Sequence, residues 1–85
     1  MIRVIIELKL NYPYKLSLSW LLDFSKVWSC RLIAGGTNSE TAVISMPAKK
    51  FKKIWGVNPR VKDYAVPAKA EKHLSAVKVK EIKVE

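Results

Sequence analysis

The sequence has little of what catalysis and metal binding require. It contains one cysteine, Cys30, one histidine, His73, and seven carboxylates that are spread along the chain. A single cysteine cannot form an internal disulfide, and it leaves too few soft ligands for a four-ligand zinc site. His73 has no nucleophile beside it in the sequence, whereas general base catalysis requires a partner. We therefore predict no enzyme, no catalytic or metal-binding residue and no cofactor, and the sequence indicates no small-molecule ligand.

Long hydrophobic runs and glycine-rich loops are also missing. The apolar stretch at residues 16–22 is far shorter than the roughly 20 residues that span a bilayer. Arg3, Glu7 and Lys9 interrupt the N-terminal apolar segment and break any signal-peptide core. The segment AGGTN links two predicted strands, whereas a phosphate-binding loop precedes a helix. These absences predict a cytoplasmic protein with no membrane partner.

Acidic residues are scarce relative to basic ones, and the imbalance is uneven. Sixteen lysines and arginines face seven carboxylates, which gives a formal net charge of +9. Residues 1–48 carry a net charge of +2 and residues 49–85 a net charge of +7. A basic surface of this kind can bind phosphate groups. Nucleic-acid binding is therefore an alternative function, with the candidate contacts Lys49, Lys50, Lys52, Lys53, Arg60 and Lys62.

The first half of the chain alternates between strand and helix patterns. Even positions from 2 to 10 are apolar, which is the period-two pattern of a half-buried strand. After the turn signal NYPYK, Ser17 or Ser19 can cap a helix that runs to about Trp28. The segments SCRLIA and TAVISM alternate and flank the loop GGTNSE, which predicts a hairpin.

The second half predicts a helix, a loop and a final strand. Pro47 suits the first position of a helix and Gly56 a left-handed stop, with Phe51 facing the core between them. The segment AKAEKHLSA predicts a short extra helix. In VKVKEIKV the apolar alternation slips by one place, which predicts a β-bulge near Lys80 and Glu81.

The order of these elements predicts the fold class. Strand, helix, strand, strand, helix and strand is the split βαβ order of a ferredoxin-like α+β sandwich. In that fold two helices cover one face of a four-stranded antiparallel sheet, and the other face is open. We expect a single domain over residues 1–85, with the short extra helix before the last strand.

The open face of the predicted sheet offers an interaction surface. Ile5, Ile33 and Val43 would form an apolar strip across three strands, with Arg3 and Lys9 on its rim. An apolar centre with a charged rim is typical of protein interfaces. No aromatic residue occupies the open-face positions where RNA-recognition domains stack bases. The preferred hypothesis is a non-enzymatic module that forms a homodimer or binds a protein partner through this face or an edge strand.

The sequence also resembles a known class of small domains. PAKKFKKIWGVNP and YAVPAKAEKHLSAVKV look like the second half of the ferredoxin-like pro-domains of subtilisin-like and sedolisin-like serine peptidases. The residues that carry the resemblance are Phe51, Ile54, Gly56, Val57, Val66, Pro67 and Leu74. In such pro-domains the open sheet packs on the peptidase and the C-terminal tail enters its active site. The resemblance thus implies a peptidase inhibitor that docks through Ile5, Ile33 and Val43, with the residues after Ile82 as the tail.

Overall fold

The computed structural model describes residues 1–36 and 38–84, which form five β-strands and two α-helices. The elements follow one another as β1 (Ile2–Leu10), α1 (Tyr14–Val27), β2 (Arg31–Ala34), β3 (Thr41–Pro47), α2 (Ala48–Trp55), β4 (Asp63–Tyr64), a 3-10 turn (Ala68–Ala70) and β5 (Leu74–Val84). The predicted α+β class is confirmed, and the short extra helix is this single 3-10 turn. Neither of the helices in the described ranges is long and apolar enough to cross a membrane.

The strands form one antiparallel sheet in the order β2-β3-β1-β5-β4. The predicted number of four strands is wrong, because Asp63 and Tyr64 add a fifth strand beside β5. Turn residues surround this pair in the sequence NPRVKDYAVP, which is why the pattern predicts a loop there. Tyr64 is held in place by an edge contact with the ring of Phe51, with 4.9 Å between the centroids. A long-range contact therefore helps to form a strand that the local sequence pattern does not predict.

The hydrophobic core lies between the helices and one face of the sheet. Val4, Ile6, Leu8 and Leu10 on β1 are at most 2 % exposed, as the period-two pattern predicts. The same buried cluster contains residues from both helical segments and from the neighbouring strands: Leu18, Leu21, Trp28, Ala42, Ile44, Met46, Phe51, Val77 and Val79. Because both helical segments meet the same side of β1, no helix within residues 1–36 and 38–84 covers the opposite side of the sheet.

Helix α1 begins earlier than the sequence predicts. It starts at Tyr14, directly after Pro13, and not after a cap at Ser17 or Ser19. The Ser17 N–H already donates to the Pro13 carbonyl at 3.2 Å. Its hydroxyl donates to the carbonyl of Asn11 at 2.8 Å. Ser17 therefore fastens the helix to the end of β1 instead of capping it.

Helix α2 follows β3 without a loop. Pro47 holds an extended conformation, with φ −61° and ψ 141°, and the helix begins at Ala48, one residue later than predicted. Gly56 ends the helix in the left-handed conformation at φ 75°, as predicted. The indole N–H of Trp55 donates to the Ala65 carbonyl at 2.9 Å. This bond fixes the loop after the helix against its last turn.

Strand β5 carries the irregularity that the sequence predicts. Ile5 on β1 pairs with Glu81, whereas Ile6 pairs with Val79. Lys80 is therefore the extra residue of a β-bulge. The bulge keeps the apolar residues on both sides of it on the same face of the sheet.

Candidate interaction surfaces

The two residues best suited to nucleophilic or acid–base chemistry are engaged in packing. Burial raises the pKa of the Cys30 thiol to about 12, and the nearby Arg3 guanidinium opposes this only in part. The His73 ring stacks on Trp20 with 4.8 Å between the ring centroids. Within residues 1–36 and 38–84, no group of three or more histidine, cysteine, aspartate or glutamate side chains could hold a metal ion. The surfaces of the domain are therefore the candidate functional regions.

Arg3 lies on the open face of the sheet but differs from the exposed rim charge that the sequence predicts. The residue is 7 % exposed. Its Nε donates to the Ser45 hydroxyl at 2.7 Å, and its Nη2 donates to the Ser45 carbonyl at 3.0 Å. A longer contact of 3.5 Å joins Nη2 to the Ser29 carbonyl. The guanidinium is buried because it satisfies its N–H groups within the domain.

The three residues of the predicted apolar strip do not line up across the sheet. Ile5 is opposite Ser45, whereas Val43 is opposite Glu7, so the two aliphatic residues are diagonal neighbours. The register of β2 shifts beside Ile33, which is 52 % exposed. Polar residues therefore interrupt the strip, and its role as an interface stays a prediction.

Two ion pairs lie along β1. Lys9 Nζ is 3.1 Å from Glu40 Oε1, and Lys80 Nζ is 3.6 Å from Glu7 Oε2. All four side chains are at least 39 % exposed, and ion pairs in water contribute little to stability. Glu40 thus neutralises part of the charge that was predicted for the rim at Lys9.

One edge of the sheet is only partly covered. β4 pairs with Val77 and Lys78 of β5, and the Val79 N–H donates to the Lys62 carbonyl at 3.0 Å. Beyond this point, no strand within residues 1–36 and 38–84 pairs with the outer side of residues 80–84. We call residues 80–84 the free edge. An unpaired edge presents backbone N–H and C=O groups that can pair with another strand.

The backbone of Ile82 points outward at the free edge. The N–H of Val79 donates to Lys62, on the side of β5 that faces away from β1. Ile6 is the partner of Val79, and paired residues of an antiparallel ladder either both face each other or both face away. The N–H and C=O of Ile6 therefore point away from β5. Val4 lies two residues before Ile6 on a regularly paired strand and therefore points the same way. Because Val4 is the partner of Ile82, the N–H and C=O of Ile82 face outward.

An apolar patch lies next to the free edge. Ile82 pairs with Val4 and Val84 pairs with Ile2, so these side chains share the face of the sheet that carries the core. Val4 is fully buried, whereas Ile2 is 48 %, Ile82 38 % and Val84 81 % exposed. The β1–β5 ribbon therefore extends past the helical layer. We call Ile2, Ile82 and Val84 the terminal apolar patch.

The sequence pattern does not predict the terminal apolar patch. The resemblance to peptidase pro-domains implied a tail after Ile82, but Lys83 and Val84 belong to β5 and pair with Arg3 and Ile2. The apolar alternation is the same in the covered and the uncovered part of the ribbon, so it cannot separate them. The length of β5, 11 residues against the usual five or six, is the signal that could have indicated an overhang.

The six basic residues predicted as nucleic-acid contacts lie on and beside α2. Four come from the helix and two from the loop that leads to β4. Two clefts flank the helix, with volumes of about 510 and 410 Å³. The larger cleft contains Lys50 and Lys53, and the smaller contains Lys52, Arg60 and Lys62. Lys49 lies outside both clefts, and Lys69 joins the larger one from the 3-10 turn.

A tyrosine orders the smaller cleft. The Tyr64 hydroxyl accepts a hydrogen bond from the Arg60 N–H at 2.7 Å and donates to the Arg60 carbonyl at 3.1 Å. Lys62 Nζ lies 5.3 Å from the centroid of the Tyr64 ring, within the range of a cation–π contact. Arg60 and Lys62 are therefore presented by a loop that the structure holds against β4.

No protein-family model, curated protein or solved structure matches this chain. The resemblance to peptidase pro-domains and the functions predicted from the sequence therefore stay predictions.

Proposed function

We propose that this chain is a non-enzymatic protein-interaction module of ferredoxin-like architecture, in which β4 is an addition at one edge of the sheet. The antiparallel order β2-β3-β1-β5 and the single core shared by both helical segments support this architecture. The observation that carries the function is the free edge at residues 80–84, beside the terminal apolar patch.

A second copy of the chain is the partner that fits the free edge. Antiparallel pairing centred on Ile82 places Glu81 of each copy opposite Lys83 of the other. Opposite charges that face each other across two strands stabilise the pairing by about 0.2–1 kcal/mol per pair. A pairing centred on Lys83 would instead place two lysines opposite each other. The charges along the strand therefore favour the register centred on Ile82.

The backbone of the free edge suits the same register. Because Ile82 directs its N–H and C=O outward, two copies can exchange a pair of hydrogen bonds at this position. The partner strand then runs beside residues 80–84 and ends where the Lys62 carbonyl already occupies the Val79 N–H. The terminal apolar patches of the two copies lie on the same face of the joined sheet, so part of their exposed surface is buried.

The free edge supports this function better than the predicted open-face strip does. The strip is interrupted by Ser45 and Glu7, and its rim charge Arg3 is buried. The contact at the free edge is nevertheless short, and stable interfaces bury about 1,200–2,000 Å². We therefore expect a weak homodimer whose population rises with protein concentration.

Single charge substitutions at the free edge test the proposal. Glu81→Lys places lysine opposite Lys83, and Lys83→Glu places glutamate opposite Glu81. Sedimentation velocity should find each variant monomeric at concentrations where the wild type dimerises. An equimolar mixture of the two variants should recover the dimer, because each lysine of one then faces a glutamate of the other.

Two controls separate this register from a general effect of charge. The double substitution Glu81→Lys, Lys83→Glu keeps the net charge of the wild type and should dimerise as the wild type does. Ile5→Glu with Val43→Glu alters the open face and should leave the dimer unchanged. A wild type that stays monomeric, or a mixture no more associated than its components, refutes the proposal.

A second candidate function is electrostatic binding of nucleic acid. The observation that favours it is the gathering of Lys49, Lys50, Lys52 and Lys53 on α2 with Arg60 and Lys62 beside them. Affinity for a fluorescent oligonucleotide should fall steeply as salt is added, with a slope of close to one unit per neutralised phosphate. Substituting any one of these residues with glutamine should lower the slope by about one unit. Absence of binding at about 50 mM salt excludes this candidate.

A further inference from the structure

The larger cleft beside α2 combines an apolar wall with a set of ammonium groups. It is lined by the end of α1, one side of α2 and the segment around the 3-10 turn, and has a volume of about 510 Å³. Volumes of about 300–1,000 Å³ are usual for sites that bind small molecules. Its lining consists of the apolar residues Val27, Trp28, Ile54, Pro67 and Ala68 and the basic residues Lys50, Lys53 and Lys69. We call it the lysine cleft.

The charges of the lysine cleft are of one sign. None of its eight lining residues is acidic. Within residues 1–36 and 38–84, neither Lys50, Lys53 nor Lys69 takes part in an ion pair. Lys50 and Lys53 are three residues apart on α2, which places them on the same side of the helix. The cleft therefore presents positive charge that a bound anion could neutralise.

The apolar wall of the cleft is accessible from solvent. Val27, at the last position of α1, is 66 % exposed although it is a large aliphatic residue. Trp28 follows it and is 7 % exposed, because its ring packs against Phe24 and Trp55 with centroid distances of 4.9 and 6.3 Å. Trp28 therefore contributes only a small exposed surface to the wall, and Val27 contributes a larger one. A ligand could cover this wall without a rearrangement of the core.

We propose that the lysine cleft binds a small amphiphilic carboxylate. Its charged group contacts Lys50, Lys53 and Lys69, and its apolar body lies against Val27 and Trp28. The three lysines, with no acidic residue in the lining, favour a negatively charged ligand. The apolar wall favours a ligand with a hydrocarbon part over an inorganic ion. This site does not depend on the free edge of β5, and it differs from nucleic-acid binding because it uses only some of the lysines of α2.

Decanoate, used below its micelle concentration, is a suitable probe. Its titration into ¹⁵N-labelled protein should shift the amide signals of Val27, Ile54 and Ala68 in a saturable way. Acetate carries the charge without the body, and decanol carries the body without the charge. Decanoate should bind at least about tenfold more tightly than either, because each of them makes only one of the two contacts. Equal affinity for decanoate and decanol, or absence of saturable shifts, overturns the proposal.

Adjacent lysines of α2 provide matched variants. Lys50→Gln and Lys53→Gln should each weaken decanoate binding roughly twofold to fivefold, the range for a partly exposed ion pair. Lys49→Gln and Lys52→Gln remove the same charge from the same helix but outside the cleft. They should leave the affinity unchanged. If all four variants weaken binding equally, the attraction is a diffuse effect of net charge and the site does not exist.

A second pair of variants tests the apolar wall. Val27→Glu places a carboxylate at the cleft and should abolish decanoate binding without harming the fold, because the residue is 66 % exposed. Leu16→Glu, at a 62 % exposed position elsewhere on α1, should bind decanoate as the wild type does. Vesicles that contain phosphatidylglycerol form a further arm. The wild type and both variants are sedimented with these vesicles. If the wild type binds the vesicles and both variants lose this binding equally, the surface binds a membrane, and the proposed cleft site is contradicted.

Discussion

The two parts of β5 place apolar side chains on the same face of the sheet but have opposite surroundings. In residues 74–79, Leu74, Val77 and Val79 are at most 2 % exposed; β1 lies on one side of the strand, and the β4 segment lies beside residues 77–79 on the other. In residues 80–84, Ile82 is 38 % and Val84 81 % exposed, and among the described residues a strand pairs with this part on one side only. The difference shows that the pattern determines which way a side chain points. Whether the side chain is buried depends on the neighbouring elements.

The β-bulge at Lys80 separates the two parts of the strand. It restores the apolar side chains to the core-side face after the slip in the sequence. Without it, Ile82 and Val84 would turn to the open face. The bulge thus preserves an apolar surface beyond the helices, at the same end as the free edge. The proposed pairing with a second copy would use this placement.

The largest predicted effect comes from the same substitution in the two parts of β5. Val79→Ala should lower the free energy of unfolding by about 2–3 kcal/mol, because it removes two buried methyl groups and leaves a cavity. Val84→Ala should change it by less than about 0.5 kcal/mol, as expected at an exposed position. Urea denaturation of dilute protein measures both values. Similar losses for the two variants would show that the end of the strand is covered.

Arg3 provides an exception that tests how far the contrast extends. It pairs with Lys83 in the uncovered part, yet it is buried on the open face by its bonds to Ser45. Arg3→Met should cost about 1–2 kcal/mol of stability, since it leaves the Ser45 groups without their donor. Arg31→Met, next to Ser45 on β2 but exposed, should cost less than about 0.5 kcal/mol. A reversed order would show that the Arg3 bonds do not persist in solution.

The prediction with the smallest effect at neutral pH concerns Cys30, which precedes β2 at the other edge of the sheet. Its pKa is raised from 9.0 to about 12, with burial as the main cause. Between these two pH values the thiol ionises in the unfolded chain and stays protonated in the folded one. The contribution of Cys30 to stability is therefore complete below pH 9 and is lost as the pH rises towards 12.

Replacing Cys30 with serine provides the control for this pH dependence. The wild type should lose stability more steeply than Cys30→Ser between pH 9 and 12, and iodoacetamide should alkylate the folded wild type slowly at pH 8. Rapid alkylation at pH 8, at the rate of the unfolded chain, would contradict the burial of the thiol.

Much of the fold is contained in local sequence. The alternation along β1 and the glycine stop at Gly56 each act within a few residues, so the prediction captures them, and Pro47 predicts the start of α2 to within one residue. β4 depends on Tyr64 meeting Phe51, 13 positions earlier in the chain, and no local pattern contains that contact. The cap predicted at Ser17 fails for a different reason, because the Ser17 hydroxyl donates to the Asn11 carbonyl only six residues earlier and α1 already begins at Tyr14.

The candidate sites are harder to predict from the sequence than the core is. The lysines of α2 are obvious in the sequence, but the lysine cleft also needs Val27 and Lys69 from distant segments. The terminal apolar patch depends on where the helical layer stops, which is a property of the packed domain. The charges of Glu81 and Lys83 can be read from the sequence. That they would face each other in a pair of copies matters only because the free edge lies beside them.

Disulfide cross-linking at Ile82 tests the proposed self-association most directly. In a Cys30→Ser background, Ile82→Cys places two cysteines at the symmetric centre of the proposed pairing, where directly opposed Cα atoms lie about 5.5 Å apart, within disulfide range. Mild oxidation should yield a covalent dimer, while Val57→Cys, at a 49 % exposed position outside the free edge, should yield only a trace. Equal yields at the two positions would contradict pairing at the free edge.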